Sequence, residues 1–425
     1  MSTPLMSERK VSLIGALLVA IGPVSMAIYT PVMPEVVRIF ESTESVVKLS
    51  LTLYFAGFAC SQLIAGPVSD ALGRRPVIVA FMLIYCLASA VALFAPSIWV
   101  LVGARFFQGV GASAGVAISR AIVRDLFKGE QSSRIMNLIG LILSLGPALA
   151  PTLGGFSASV AGWRSVFVLM MLFGLVVITV AVVSLRETVV PDRSRLNLRA
   201  LVGSYAMLLG NAHFMTTAMV MAGALGALYA QATFLPFILM TDLGLSPTQF
   251  GFGMLMQSGS FIAASLVIRV LMRHIGAYRL VPAGLAFILM GSAGTATLLI
   301  WPASFLHVMI PVGLYSFGIA FVLPAMSTAA LAPFGRHAGA ASSLMGFLQM
   351  GFGLLMGTIG ALMEDAVVAM GVLIPMMGVT ASIAYVIYRR RPHLAEPDPT
   401  ADALAVLAVA GAGARDRPDR DGRRI

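Results

Sequence analysis

The chain has 425 residues, of which 59% are hydrophobic and only 11% charged, against roughly 25% charged in an ordinary globular domain. Its length would allow two or three soluble domains, but this composition excludes them and describes an integral membrane protein. The +10 balance does not point to nucleic acid either, because the basic residues are spread between uncharged runs rather than clustered on a soluble face.

A crossing helix needs about 20 apolar residues, and the uncharged stretches supply twelve such spans in chain order. Val11 to Pro34 and Leu49 to Ser69 give the first two. Pro76 to Ala104 gives a third up to the Ala95-Pro96 break and begins a fourth, which runs past Arg105 toward Arg120. Ile135 to Trp163 is a fifth span plus a loop, and Ser165 to Leu185 is the sixth. Ala200 to Thr241 is a seventh with slack, and Leu243 to Ile268 is the eighth. Leu280 to Gly335 divides at Trp301-Pro302-Ala303 into the ninth and tenth; His337 to Met363 and Ala366 to Tyr388 close the series. The opening run after Arg9 and Lys10 is too long for a signal peptide and reads as a retained first helix. Cys60 and Cys86 both fall inside spans, so each is expected to be a small buried hydrophobe and no disulfide framework is implied.

With the N-terminus inside and twelve alternations, 24 of the 28 lysines and arginines lie inside. Arg38, Lys48 and Arg164 lie outside, and Arg105 lies within a span. That bias is the positive-inside rule, and it places both termini in the cytoplasm. For most basic residues, including Arg120, topology is then sufficient explanation.

The longest charged connection, RETVVPDRSRLNLR from Arg186 to Arg199, separates six spans from six. Residues 1–185 are expected to form one six-helix bundle, 186–208 a cytoplasmic linker, 209–390 a second bundle, and 391–425 a disordered tail. A faint repeat crosses the linker. At an offset of 203, DALGRR from Asp70 faces RHIGAY from Arg273, and at 202 Tyr29 and Pro34 meet Gln231 and Pro236. A duplicated six-helix unit would show such matches in equivalent spans.

GPVSDALGRRPV, from Gly66 to Val77, is the turn between spans two and three. Gly66 and Gly73 permit close approach or unusual dihedrals, and Pro76 suits the first turn of the next helix. Positive-inside charge accounts for Arg74 and Arg75 but not for Asp70. An ion pair at the membrane edge is weakly screened, so this cluster is expected to latch helix ends together in one conformation and release them in another.

The pattern G-x-x-x-D-x-x-G-R-R, Gly66 to Arg75, resembles the signature loop of the major facilitator superfamily. RFFQGVGAS from Arg105 is similar to that superfamily's arginine-bearing fourth helix, and GLILSLGPALAPTLGG, Gly140 to Gly155, resembles the Gly-Pro motif of its drug-proton antiporters. With YTPVMP in span one and SRAIVRDLF after span four, the chain looks like a Bcr/CflA-type (bicyclomycin and chloramphenicol resistance) efflux transporter. The resemblance covers Val11 to Tyr388 and implies an all-α fold of twelve transmembrane helices in two pseudo-symmetric six-helix bundles. It implies export of small amphipathic molecules by alternating access in exchange for protons, by a monomer of the bacterial inner membrane. It also implies that a bend at Gly146, Pro147, Pro151, Gly154 and Gly155 controls leak and exchange direction.

Independently of the resemblance, Arg105 lies several residues inside a span, where a charge costs roughly 2.5–3.5 kcal/mol, and Gln108 one turn on adds a polar group to the same face. Relatives of this type often carry an aspartate in span one, two residues before the tyrosine of the YxP element, where this chain has Ala27. The coupling candidates left are Glu35 or Asp125 acting with Arg105, or His213 and His307 at span ends. By resemblance, spans one, four, seven and ten line the cavity with Met26, Tyr29, Ser113, Tyr229, Gln231, Phe234, Tyr315 and Phe317. Gln62, Gln257 and Gln349 are further candidates on adjacent spans. Aromatics and amides without a central carboxylate fit neutral or anionic substrates better than permanent cations.

Three rivals compete with the exporter. A metabolite importer would share the fold. An intramembrane serine hydrolase is suggested by GASAG, Gly111 to Gly115, but that motif's mechanics need a strained strand-to-helix turn, and here it continues a span. A receptor would need a signalling segment. No P-loop, H-E-x-x-H or C-x-x-C occurs, so neither a metal nor a nucleotide cofactor is expected.

Overall fold

The computed structural model describes residues 6–127, 131, 135, 139, 149–192 and 198–390. The expected tail from 391 and the motif residues Gly146 and Pro147 lie outside the described residues. Helix α1 (Glu8–Tyr29) continues through the 3-10 turn Thr30–Val32 into the short helix Met33–Ile39. It is followed by α2 (Glu44–Leu72), α3 (Arg74–Leu93), α4 (Ile98–Leu126), α5 (described over 149–161) and α6 (Ser165–Ser184). After the linker come α7 (Leu198–Gly210), α8 (Ala212–Pro236), α9 (Pro247–Ile275), α10 (Ala277–Ala296), α11 (Phe305–Leu331), α12 (Ala338–Leu362) and α13 (Ala366–Arg389). Eleven helices among the described residues are long and apolar enough to cross a membrane. The fifth of the twelve expected spans, α5, is described only in part.

Local chemistry sets the helix boundaries. In a bilayer the first N–H groups of a helix need partners, and side chains supply them. Thr43, Ser97, Ser304 and Asp365 cap α2, α4, α11 and α13, and Ser246 forms a capping box with Gln249 on α9. Asn211 accepts from the His213 and Phe214 amides to start α8. That cap explains the slack expected in span seven: the excess residues form the separate linker helix α7, which ends at Gly210.

The pseudo-repeat is visible in register. Helices α2 and α9 are each 29 residues long, and α3 and α10 are each 20. Pro247 begins 203 residues after Glu44, and Ala277 begins 203 after Arg74, the same offset that relates DALGRR to RHIGAY. The shared glycine is the corner in both hairpins, Gly73 at φ 102°, ψ 147° and Gly276 at φ 85°, ψ 147°. A side chain is strained in that backbone region, which accounts for glycine at both corners.

Within the first bundle α4 packs on α1, α2 and α3. A Cβ on Gly57 would collide with the Phe106 carbonyl and one on Gly109 with that of Tyr54, so α2 and α4 touch backbone to backbone. In the second bundle α11 packs on α8, α9 and α10. The outer faces present apolar side chains such as Leu87, Leu172 and Val183, as lipid contact requires. Cys60 corrects one expectation: it is exposed on α2, whereas Cys86 is buried. The two bundles meet along α2 and α12, and α5 meets α9, where Thr152 Oγ1 donates to the Gly251 carbonyl at 3.1 Å.

Candidate functional site

The turn after α2 builds the cluster expected there. Arg74 is only 2% exposed and pairs with Asp70 and, through Nε at 3.1 Å, with Asp125 at the end of α4. Its Nη1 also donates to Ser69 Oγ at 2.6 Å. Glu187, just after α6, accepts from the Arg74 amide at 2.8 Å and the Arg75 amide at 3.1 Å. Arg75 turns away from the acids, its Nη2 donating to the Val182 carbonyl of α6 at 2.6 Å. The cluster therefore ties α2, α3, α4 and α6 at one end of the first bundle, called here the latch end. Gly66 makes no close helix contact; a Cβ there would lie 3.9 Å from Ser343 Oγ on α12.

Arg105 lies fully buried in the first bundle, its guanidinium 4.5 Å from the ring centres of both Tyr29 and Tyr54. Its Nη1 donates to Gln108 Oε1 at 2.7 Å, and Gln108 Nε2 donates to Ser89 Oγ at 2.7 Å. Its Nε and Nη2 have no hydrogen-bond partner among the described residues. Cation–π contact takes the place of a counter-ion. The sequence offered Asp125 or Glu35 as its acid, and the described contacts bring it neither. Asp125 is engaged by Arg74 and Thr188, and Glu35 sits half-buried on the short helix after α1.

Where the bundles face each other, the Phe55 and Tyr229 rings lie 5.5 Å apart, tilted by 44°, near the middle. At the latch end Arg120 Nη1 donates to Ser342 Oγ at 2.5 Å, and the Tyr205 hydroxyl of α7 donates to the Leu63 carbonyl at 2.6 Å. Burial pushes the Tyr205 phenol up to about 12. At the far end Lys48, buried on α2, pairs with Glu44 at 3.2 Å and lies 4.9 Å from the Phe237 ring centre. There a hollow of about 650 Å³ is bordered by Glu44, Asp242, Glu364 and Asp365.

The remaining candidates divide. Tyr229 lies at the seam, and Gln257 Nε2 donates to buried Gln231 at 2.8 Å. Tyr29 is bonded to Ser50 at 2.8 Å, Tyr315 donates to the Gly223 carbonyl at 3.0 Å, and Ser113 donates to its own helix at Val110. Met26 and Phe234 are buried, the latter against Gly360. Phe317 stands apart, packed on Phe287 and Phe321 between α10 and α11. Gln62 lies against Gly346 on α12, and Gln349 approaches the Met221 sulfur at 3.9 Å. His213 bonds the Ala329 carbonyl at 2.7 Å, and His307 bonds Thr297 at 2.7 Å. In the Gly-Pro motif, a Cβ on Gly154 would strike the Ile28 carbonyl and one on Gly155 the Pro247 carbonyl, while Gly251 lies against Pro151 and Thr152. The described part of the motif thus lies at the contact between bundles.

The description of the Major Facilitator Superfamily matches residues 15–361. The chain belongs to that superfamily. Multidrug resistance protein D of Escherichia coli (strain K12) is 28% identical over 390 residues, covering 90% of this chain and 96% of the relative. A chloramphenicol resistance protein of Pseudomonas aeruginosa is 30% identical over 350 residues, covering 80% of each. The partially occluded, inward-open xylose transporter XylE of E. coli shares the fold, with a TM-score of 0.71 at 11% identity over 91% of this chain and 98% of that one.

Sequence reasoning missed several groups in this superfamily member. Glu187 reads as a linker charge, though an acid at the first polar position after α6 could have been paired with the signature turn. Glu44 and Lys48 are spaced i, i+4, a readable helix pair. Ser342 and Tyr205 carry no signal that would separate them from other small or aromatic residues.

Proposed function

We propose that this chain exports drugs or other small amphipathic molecules from the cytoplasm by alternating access, in exchange for protons, as a monomer of the bacterial inner membrane with both termini cytoplasmic. The observation that carries the reading is the seam between two bundles of matched register. It is bridged by Arg120–Ser342 and Tyr205–Leu63 at one end and Lys48–Phe237 at the other. Two sets of contacts at opposite ends are what a carrier needs in order to break one while keeping the other. The names of the drug-resistance relatives support drugs as cargo, and the basic residues at the latch end support the orientation.

The arrangement assigns roles. Arg74 holds the latch through Asp70 and Asp125, and protonation of Asp125 would remove one of the charges that hold it. Arg105, enclosed by Tyr29, Tyr54 and Gln108, is positioned to sense charge within the first bundle. Export from proteoliposomes with and without an imposed pH gradient tests the coupling. The reading expects the rate to fall at least tenfold when the gradient is collapsed, and Asp125→Asn to export slowly under both conditions. Equal rates with and without the gradient would refute proton exchange.

A further inference from the structure

We infer that Arg120 is the head-group site for an organic anion in the crevice between the bundles, so that the cargo class includes amphipathic carboxylates and sulfonates. This rests on the export reading and narrows it.

Arg120 belongs to a membrane-spanning helix yet is exposed. Its guanidinium bonds Ser342 of α12 and lies within Coulombic reach of Tyr229 of α8. Both partners belong to the second bundle, so this long side chain of the first bundle reaches across the crevice, where solvent meets it. Positive-inside topology explains a base at this end of the protein but not one that crosses the seam.

Among the described residues no acid forms an ion pair with it. Between their ends, α1, α4, α8, α11 and α12 contain no aspartate or glutamate, and neither does the sequence from 131 to 186 that includes α5. The nearest acids along these helices and along α2, which packs on both α4 and α12, are Glu8, at the first residue of α1, and Asp70 and Asp125, both of which Arg74 engages. A solvent-exposed base with no acid paired to it attracts an anion, and the apolar walls of the bundles strengthen that attraction. A guanidinium presents its N–H groups in a planar fork that fits a carboxylate in two bonds, and the Tyr229 and Phe55 rings stand nearby for an apolar body. The ends differ in sign as well. Basic residues dominate the latch end, while Glu44, Asp242, Glu364 and Asp365 border the hollow at the far end. Anions are thereby drawn to the latch-end mouth and repelled from the other.

The test uses three probes of one shape: 2-naphthoate, 2-naphthamide and 2-naphthyltrimethylammonium, titrated calorimetrically against the full chain in detergent. The wild type is expected to bind 2-naphthoate at least tenfold tighter than the amide, with the cation weakest. Arg120→Gln should bring the naphthoate-to-amide ratio close to one. Arg120→Lys, which keeps the charge, should retain a ratio well above one and covers the case in which the glutamine variant does not fold. A wild-type ratio near one, tighter binding of the cation, or a preference that survives in Arg120→Gln would each overturn the assignment. Transport of a neutral drug into inverted vesicles, measured in parallel, decides the export reading separately: failure there leaves the charge ratio standing as its own result.

Discussion

Replacing Arg74 by glutamine removes the one base that, among the described residues, holds Asp70 and Asp125 together. The Arg74 and Asp125 side chains are 2% and 18% exposed, so that pair is part-buried, whereas the Asp70 side chain is 35% exposed and its pair is more strongly screened. Removing one partner of a buried pair costs about 3–5 kcal/mol, and an exposed pair contributes about 1 kcal/mol or less. The partial exposure of both carboxylates favours the low end, about 3 kcal/mol for Arg74→Gln, with Asp125→Asn next and Asp70→Asn smallest. Three kcal/mol corresponds to roughly a hundredfold shift in an equilibrium. The latch end of α2 would lose its anchor to α3 and α4. Amide hydrogen exchange over residues 63–72 should therefore accelerate about a hundredfold in Arg74→Gln and least in Asp70→Asn, whose transport falls without loss of membrane insertion. Unchanged exchange in Arg74→Gln, or equal effects of the two acid substitutions, would refute the assignment of the latch to Arg74 and Asp125.

The two corner glycines should respond differently to alanine. Both substitutions carry backbone strain on the order of 1–3 kcal/mol, but a Cβ on Gly73 also meets Glu187 at 2.8 Å, while one on Gly276 meets nothing within 4 Å. Thermal unfolding in detergent should show the larger loss for Gly73→Ala, with Arg75 labelling faster only in that variant. Arg105→Met should leave thermal stability the same or raise it, because a buried guanidinium with two unpartnered groups is replaced by an apolar side chain, yet transport should fall at least tenfold; a large destabilisation would mean the arginine is structural. The Tyr205 phenol is held up to about 12 by burial. Its protonated, donating form therefore stabilises the fold fully below the ordinary tyrosine value near 10 and loses that contribution as pH rises through about 12. Wild-type stability should drop more steeply than that of Tyr205→Phe across that window and match its slope below it.

The helices were readable because hydrophobic length and proline breaks decide where a chain can cross a bilayer, as at Ala95-Pro96 and Trp301-Pro302. The single conserved glycine of the weak DALGRR and RHIGAY match pointed to a register that the helix boundaries repeat residue for residue. Other features depend on three-dimensional context that spacing does not encode. Arg120 was assigned to topology because a crevice base at this end adds to the same charge bias as a surface base. Phe317 was placed in the cavity by its span, but the face it occupies turns toward Phe287. Cys60 was expected to be buried because it lies in a span, and membrane helices expose one face to lipid. The extra length before span seven gave no sign of a separate helix until the Asn211 cap set the boundary.

The most direct test of alternating access is a reversible bridge across the latch end. In a background lacking Cys60 and Cys86, Gly66→Cys and Ser343→Cys place two thiols where the new Cβ lies 3.9 Å from the position of Ser343 Oγ, close enough for a disulfide. The account predicts that the bridge forms on oxidation, that drug export into inverted vesicles then stops, and that a reductant restores it. Export that continues at the unbridged rate with the disulfide intact would contradict it.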